Sequence, residues 1–519
     1  MKRTIRRRLL QAAFASSSAA LWPYSKLFAQ SGSTLLRAPK QALIIGNSKY
    51  KQSPLKNPAN DAQGIADALK STGFAVTLGL ELTQADMSEA IRSYLATLVK
   101  SRAVGLFYFA GHGVQLAWRN YLVPIDAQID NIEQVRQRAI DVNTLVEGIR
   151  KAGNPMNMIV LDACRDNPFG AQAGVEQRGL SQLDAPPGTL LAYATAPGNT
   201  AADGEGSNGL YTENLLREIK VPEAKVEDVF KRVRLSVRKS SKGQQVPWES
   251  TSLEEDFWFI PPKVLKKLAD EEAEREFKQE LALWERVQNA AEPGPLEDYL
   301  RRYPSGRFAE LAQLRLDQVL ARQGETKVEI VSAPRNPYSK GTERTDTAYK
   351  IGDTWTYRRI DLLTRLEESE PRWRVTDITE TEVIYNDGRR ITDLLGNVRR
   401  PGGGSIWGPN QTIPVEFAVG KRWNSRFDFI TERGKGSVLD LDLRIVDREM
   451  IIVPAGTFNA FRIEARGWLT GEAHTEWNWK RWYAPEQVRQ HLAWELFTRN
   501  MRGRINNSYR SELVSFQQL

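Results

Sequence analysis

A succession of short, wholly apolar runs separated by amphipathic segments constrains this chain more than any other feature. Gln41-Ala42-Leu43-Ile44-Ile45-Gly46 has no polar alternation and is ended by glycine, as a strand buried on both faces requires. Runs of the same kind recur at Phe74–Leu80, Val104–Phe109, Met158–Leu161, Leu190–Ala194 and Phe257–Ile260. Between them lie segments with helical spacing. Asn60-Asp61 opens one that carries Ile65, Ala68 and Leu69, and others lie near residues 86–100, 141–151, 209–219 and 224–239. The alternation predicts an α/β domain with a mainly parallel, six-stranded sheet flanked by helices.

Chemistry in such sheets gathers where the strands end at their carboxyl edge. Two strands end in unusual sequences: Phe107-Tyr108-Phe109-Ala110-Gly111-His112-Gly113 and Ile159-Val160-Leu161-Asp162-Ala163-Cys164-Arg165-Asp166. Cys164 is the only cysteine in the chain, and His112 is the only histidine before residue 474. One cysteine excludes an intramolecular disulfide and a multi-cysteine zinc site. A lone cysteine is by itself a small hydrophobe. Paired with an imidazole at the end of a neighbouring strand it becomes a nucleophile, because the ring lowers the thiol pKa. The glycines flanking His112 let the backbone pass close to a peptide.

At these residues the chain resembles the caspase-like clan, in particular its bacterial metacaspase-like members, often called orthocaspases. The resemblance covers roughly residues 38–262 and rests on Tyr108-Phe109-Ala110-Gly111-His112-Gly113 and Asp162-Ala163-Cys164-Arg165-Asp166-Asn167-Pro168-Phe169. Ala192-Tyr193-Ala194-Thr195-Ala196-Pro197-Gly198, Asn208-Gly209-Leu210-Tyr211-Thr212 and Gln245-Val246-Pro247-Trp248 are also similar. The resemblance implies a caspase–hemoglobinase-like fold with Cys164 as nucleophile and His112 as general acid–base. The amides of Gly113 and Cys164 would form the oxyanion hole. It implies cysteine endopeptidase activity on protein or peptide substrates, through a thioester and without a cofactor.

Asp162 stands two residues before the nucleophile, where metacaspases carry an acid that selects Arg or Lys, and Asp61 matches the second acid of that pocket. Two carboxylates attract a guanidinium and repel an acidic side chain. By position alone Asp61 is equally a residue capping or opening a helix, and Asp162 a buried structural acid. Residues 170–179 are small and polar, with Arg178 as a site of self-cleavage or simply part of an uncut surface loop. Many metacaspases are activated by calcium, but no acidic cluster here has calcium-ligand spacing, and no metal site is expected. The alternative function is a caspase-like scaffold or interaction protein with latent or no peptidase activity.

The net charge of +8 raises the question of nucleic acid. Residues 1–30 hold Lys2, Arg3, Arg6, Arg7, Arg8, Lys26 and no acid, which leaves about +2 for the remainder. That segment has the layout of an export signal, and Arg6-Arg7-Arg8-Leu9-Leu10 resembles a twin-arginine leader. The other reading is a basic amphipathic or uncleaved anchor helix. Export to the periplasm or beyond is therefore expected, with no nucleic-acid partner and no membrane span after processing.

Residues 263–323 turn to Lys, Glu, Ala and Leu with helical spacing, and resemble the TPR-like helical unit often found downstream of bacterial caspase-like domains. Their spaced aromatics read as core. Residues 324–348 read as a linker. From 349 to 519 the pattern becomes period-two and aromatic, with nine of the 14 tryptophans and an Asp387-Gly388 hairpin signal, predicting an antiparallel all-β domain. Trp477 and Trp479 share one strand face, which suits core packing or, alternatively, a glycan or envelope-protein partner. His474 and His491 have no metal spacing and read as structural.

Overall fold

A computed structural model describes residues 35–164, 179–197, 199, 206–263, 270–325, 336–369, 372–432, 434–471 and 474–519. The expected leader and Arg178 lie outside them. The chain divides into two compact units, Tyr24–Asp270 with Gln318–Gly341, and Glu271–Asp317 with Thr342–Leu519.

The first unit is built on a sheet whose main path has six strands. In chain order these include β1 (Lys40–Gly46), β2 (Ala75–Leu80), β3 (Val104–Leu116), β4 (Arg119–Leu122), β5 (Ile140–Asp141), β6 (Asn157–Cys164), β7 (Thr189–Tyr193) and β8 (Trp248–Thr251). The path runs β2-β1-β3-β6-β7-β8, with β4 and β5 as a side ribbon on β3. All pairings on it are parallel except β7 with β8.

Strand alternation sends side chains to two separate cores. Ile44, Leu106, Tyr108, Val160 and Ala192 face α1 (Pro58–Ser71) and, later in the chain, Leu210–Ile219 and Val226–Ser240. Leu43, Phe107, Phe109, Leu161 and Leu191 face α2 (Gln84–Ser101) and Val142–Ala152 on the other side. The intervening short helix α3 is Ile132–Arg138; Val142–Ala152 is α4, Leu210–Ile219 α5 and Val226–Ser240 α6. This is the expected helix–sheet–helix sandwich. Both faces of the central strands β1, β3, β6 and β7 are dry, which is why their runs lacked polar alternation. By contrast β2, at the sheet edge, is exposed or half-exposed along its length and is not the buried strand its apolar run predicts.

One expected strand is corrected. Phe257–Ile260 is not the sixth strand; that place belongs to β8, Trp248–Thr251. Only the isolated bridge Lys225–Trp258 touches the former run. Phe257 and Phe259 are nonetheless buried, packed edge to face at 6.0 Å in the core beneath α6. An edge strand has one wet face, so β8 alternates buried and half-buried residues and carries Glu249. A search for continuous apolar runs passes over it and selects the more apolar loop. β3 also extends further than its apolar run, through the glycines to Leu116, and is buried throughout.

Within the same unit, Arg238 of α6 makes a two-bonded ion pair with Glu325 (3.2 and 2.6 Å). Asn336 donates to Ser181 Oγ and to the Gln182 carbonyl, and Arg119 donates to the Tyr338 hydroxyl at 2.7 Å.

The second unit holds most of a helical module and an antiparallel sheet. The helices are α7 (Asp270–Val287), α8 (Pro293–Arg302) and α9 (Ala309–Arg322). Trp284 stacks on Phe308 with centroids 6.0 Å apart, and the buried Glu280 accepts from the Tyr299 hydroxyl at 2.7 Å. The sheet has 13 strands. Its long strands are Arg422–Ile430, Gly436–Val453, Gly456–Gly471, Thr475–Tyr483, Ala493–Asn500 and Ile505–Gln517, continuing through Thr354–Asp361 towards Glu382–Tyr385 and Arg390–Asp393. The Asp387-Gly388 turn joins the last two, with Asn386, Asp387 and Gly388 all at positive φ. Among the described residues no helix is long and apolar enough to cross a membrane.

Candidate active site

The two residues implicated by sequence as nucleophile and base lie where the parallel ladder of β3 and β6 ends at its carboxyl edge. In the parallel ladder His112 is the register partner of Cys164, the last residue of β6. Two residues separated by 52 positions are thereby set side by side, by strand pairing alone.

His112 is 3% exposed and is held from three directions. Its amide donates to the Tyr50 hydroxyl at 2.9 Å, and the Tyr50 ring lies 4.4 Å from the imidazole at an interplanar angle of 53°. Its Nε2 lies 2.7 Å from the Ser53 carbonyl. A carbonyl only accepts, so Nε2 carries the hydrogen and the lone pair of the neutral ring is on Nδ1. Among the described partners, the loop after β1 thus sets which nitrogen can take up a proton.

The glycines around His112 have separate reasons. Gly111 sits at φ +153°, and a Cβ there would come within 2.5 Å of the Tyr50 hydroxyl and 2.9 Å of the Phe109 ring. A Cβ on Gly113 would meet Ala163 Cβ at 2.9 Å and Leu180 Cδ2 at 3.1 Å. The absence of side chains lets β3 close onto β6 and onto Leu180.

The two acids converge on one cluster. Asp61, in the first turn of α1, is 3% exposed and accepts from Asn208 Nδ2 at 2.8 Å and from the Gly209 amide at 3.0 Å. Asp162 on β6 is half-buried and accepts from Thr212 Oγ1 at 2.6 Å and from the Tyr108 hydroxyl at 3.3 Å. Burial, followed by the fields of Asp162 and Asp61, holds the Tyr108 phenol well above its ordinary pKa. Both carboxylates therefore act on one hydroxyl that stays protonated and donates. A cationic side chain entering here would meet two acids already oriented by donors from α5 and the turn before it.

Tyr50, Ser53, Tyr108, Asn208 and Thr212 carry this arrangement without having been assigned a role from sequence. Tyr108, Asn208 and Thr212 stood inside quoted motifs, so a signal existed. Tyr50 and Ser53 lie in a loop with no periodicity, and nothing local marked them. No cluster of three or more His, Cys, Asp or Glu with metal-binding geometry occurs among the described residues.

Comparison with known proteins bears on the domain that carries these residues. The caspase domain family matches residues 39–258. The mucosa-associated lymphoid tissue lymphoma translocation protein 1 of Homo sapiens is 27% identical over 227 residues, 42% of this chain and 26% of that protein. Its Mus musculus homolog is 28% identical over 233 residues, 44% of this chain and 27% of that protein. The chain thus spans about a quarter of the length of these curated relatives. With the strand order, the helices on both faces and the match to the caspase domain model together in view, residues 39–258 form a caspase-like domain.

Proposed function

We propose that this chain is a cysteine endopeptidase that cleaves after Arg or Lys. The observation that carries the reading is the register pairing of His112 with Cys164 at the carboxyl edge of two adjacent parallel strands. In this mechanism the Cys164 thiolate attacks the scissile carbonyl, and the oxyanion that forms is met by the amides of Gly113 and Cys164. His112 takes the thiol proton and delivers it to the leaving amine. Water, deprotonated by the same ring, then hydrolyses the thioester. The Ser53 carbonyl supports this role, because it holds the ring in the tautomer whose Nδ1 accepts a proton. Asp162 and Asp61 bind the guanidinium or ammonium of the residue before the cleaved bond.

Export through the basic N-terminal segment, self-cleavage at Arg178 and an envelope or glycan partner for the β domain belong to the same reading.

The test is incubation of the chain with Arg-, Lys- and Asp-ended fluorogenic peptides, with and without calcium, beside Cys164→Ala. Turnover of the basic peptides that vanishes in Cys164→Ala is expected. Asp162→Asn should lower kcat/KM for them by about a hundredfold, two lost charge-assisted contacts. No Cys164-dependent turnover under either condition would sink the peptidase reading and leave the scaffold.

A further inference from the structure

The strand Thr475–Tyr483 places Trp477, Trp479, Arg481 and Tyr483 on one face by its period of two. Trp479 and Tyr483 are buried there as the sequence pattern requires, each 4% exposed. Arg481 between them is only 6% exposed, and a guanidinium has no obvious reason to be in that position. Its guanidinium carbon lies 4.6 Å from the centroid of the Trp479 ring and 4.5 Å from that of Trp494. Its buried Nε has no acceptor among the described residues.

A second guanidinium, on a strand six places away in the order, exerts its field on the same buried His491 as Arg481 does. Arg390 lies over Trp373 at 5.2 Å and Tyr385 at 5.9 Å, and its buried Nε likewise has no acceptor among the described residues. A continuous chain of contacts joins the two cations. Gln490 donates to the Tyr385 hydroxyl at 2.9 Å, and the adjacent His491 stacks on Tyr357 at 4.7 Å and meets Trp494 and Tyr483 edge-on at 6.3 Å. Burial, then the fields of Arg481 and Arg390, hold His491 well below the ordinary imidazole pKa, so this imidazole is neutral.

The carboxylates on neighbouring elements are engaged elsewhere. Asp353 pairs with Arg489 at 2.8 Å, Glu495 with Arg510 at 2.7 Å, and Asp393 accepts from Asn397 at 2.9 Å. Among the described residues no ion pair neutralises Arg481 or Arg390. A buried charge without a partner is unfavourable, and a forked donor is matched best by an oxyanion. Arg390 and Trp494 are partly exposed, so the cluster opens to solvent at one end.

We propose that the aromatic cluster between Arg481 and Arg390 is a binding site for a ligand bearing an oxyanion, either a carboxylate or a phosphate. Its oxygens accept from both guanidiniums, and its body lies against Trp494 and Tyr385. The site belongs to the β domain alone and does not depend on the peptidase reading.

The test is calorimetric titration of the full chain with inorganic phosphate and, separately, with citrate, against sodium chloride at matched ionic strength. Saturable binding and a rise in Tm with one or both anions, absent with chloride, are expected; the responding arm identifies the group. Arg481→Gln and Arg390→Gln should each weaken binding by about tenfold or more, while Arg466→Gln, an exposed arginine on the neighbouring strand, should not. Arg481→Met guards against a folding artefact. It should raise Tm in the absence of anion, by removing an uncompensated charge, and abolish the anion response. Neither anion binding saturably to the unaltered chain, chloride acting equally, or binding that survives both Arg→Gln substitutions would overturn the proposal.

Discussion

Tyr50→Phe isolates one hydroxyl whose removal reports on the whole arrangement around His112. The ring is retained, so its 4.4 Å packing against the imidazole survives while two described hydrogen bonds of the hydroxyl are lost. One is donated by the His112 amide at 2.9 Å; the other is donated by Tyr50 to the Val123 carbonyl at 3.0 Å. The losses are unequal. Val123 keeps a second donor, Asn47 Nδ2 at 3.4 Å, so that deletion costs about 1 kcal/mol. The His112 amide is left buried without its donated bond, and an orphaned buried donor costs about 1–3 kcal/mol. The sum is roughly 2–4 kcal/mol in the caspase-like domain. Urea unfolding of the full chain, followed by hydrogen–deuterium exchange of the peptide spanning residues 104–116, measures it. Turnover should show the same displacement as a fall in kcat with KM unchanged, because the substrate-side acids are untouched. A stability change below about 0.5 kcal/mol would refute the reasoning, since a surface hydroxyl gives that much and no more.

Gly111→Ala forces a methyl to within 2.5 Å of the same hydroxyl at a φ that disfavours side chains, and should cost at least as much as Tyr50→Phe in the same exchange measurement. Breaking the buried Arg238–Glu325 pair by Glu325→Gln should cost about 3–5 kcal/mol, whereas Arg238→Met with Glu325→Leu should be nearly neutral; a double-mutant cycle without coupling would refute the pairing. Burial holds the Asp393 carboxyl at about 6, above its unfolded value, so its contribution to stability is complete below about pH 4 and is lost as pH rises through about 6. Asp393→Asn should remove a decline of roughly 3 kcal/mol across that window in the unfolding of the β domain, and an unchanged pH slope would contradict the assignment.

Much of the caspase-like domain was legible because buried parallel strands leave an unusually direct signature. β1, β3, β6 and β7 each had an apolar run, and the sequences at the ends of β3 and β6 held the only histidine and cysteine available to pair. β8 escaped because an edge strand shares its alternating pattern with many surface segments. Asp61 and Asp162 were named from motif position, but the donors that orient them, Asn208 and Thr212, come from 147 and 50 residues away.

By itself the sequence determined the periodicities, and with them the α/β sandwich, the helical segment and the aromatic antiparallel sheet. It also determined which side chains could do chemistry, since one cysteine leaves no choice of thiol. Tertiary structure alone decided which groups surround them. Register pairing set His112 beside Cys164, and the loop carrying Tyr50 and Ser53 fixed the imidazole. The sheet of the β domain brought Arg481 to the neighbourhood of Arg390, six strands away. The physical reason is the range of the interactions: periodicity is a property of neighbouring residues, whereas a hydrogen bond or an unbalanced charge depends on what the folded chain brings within a few ångströms.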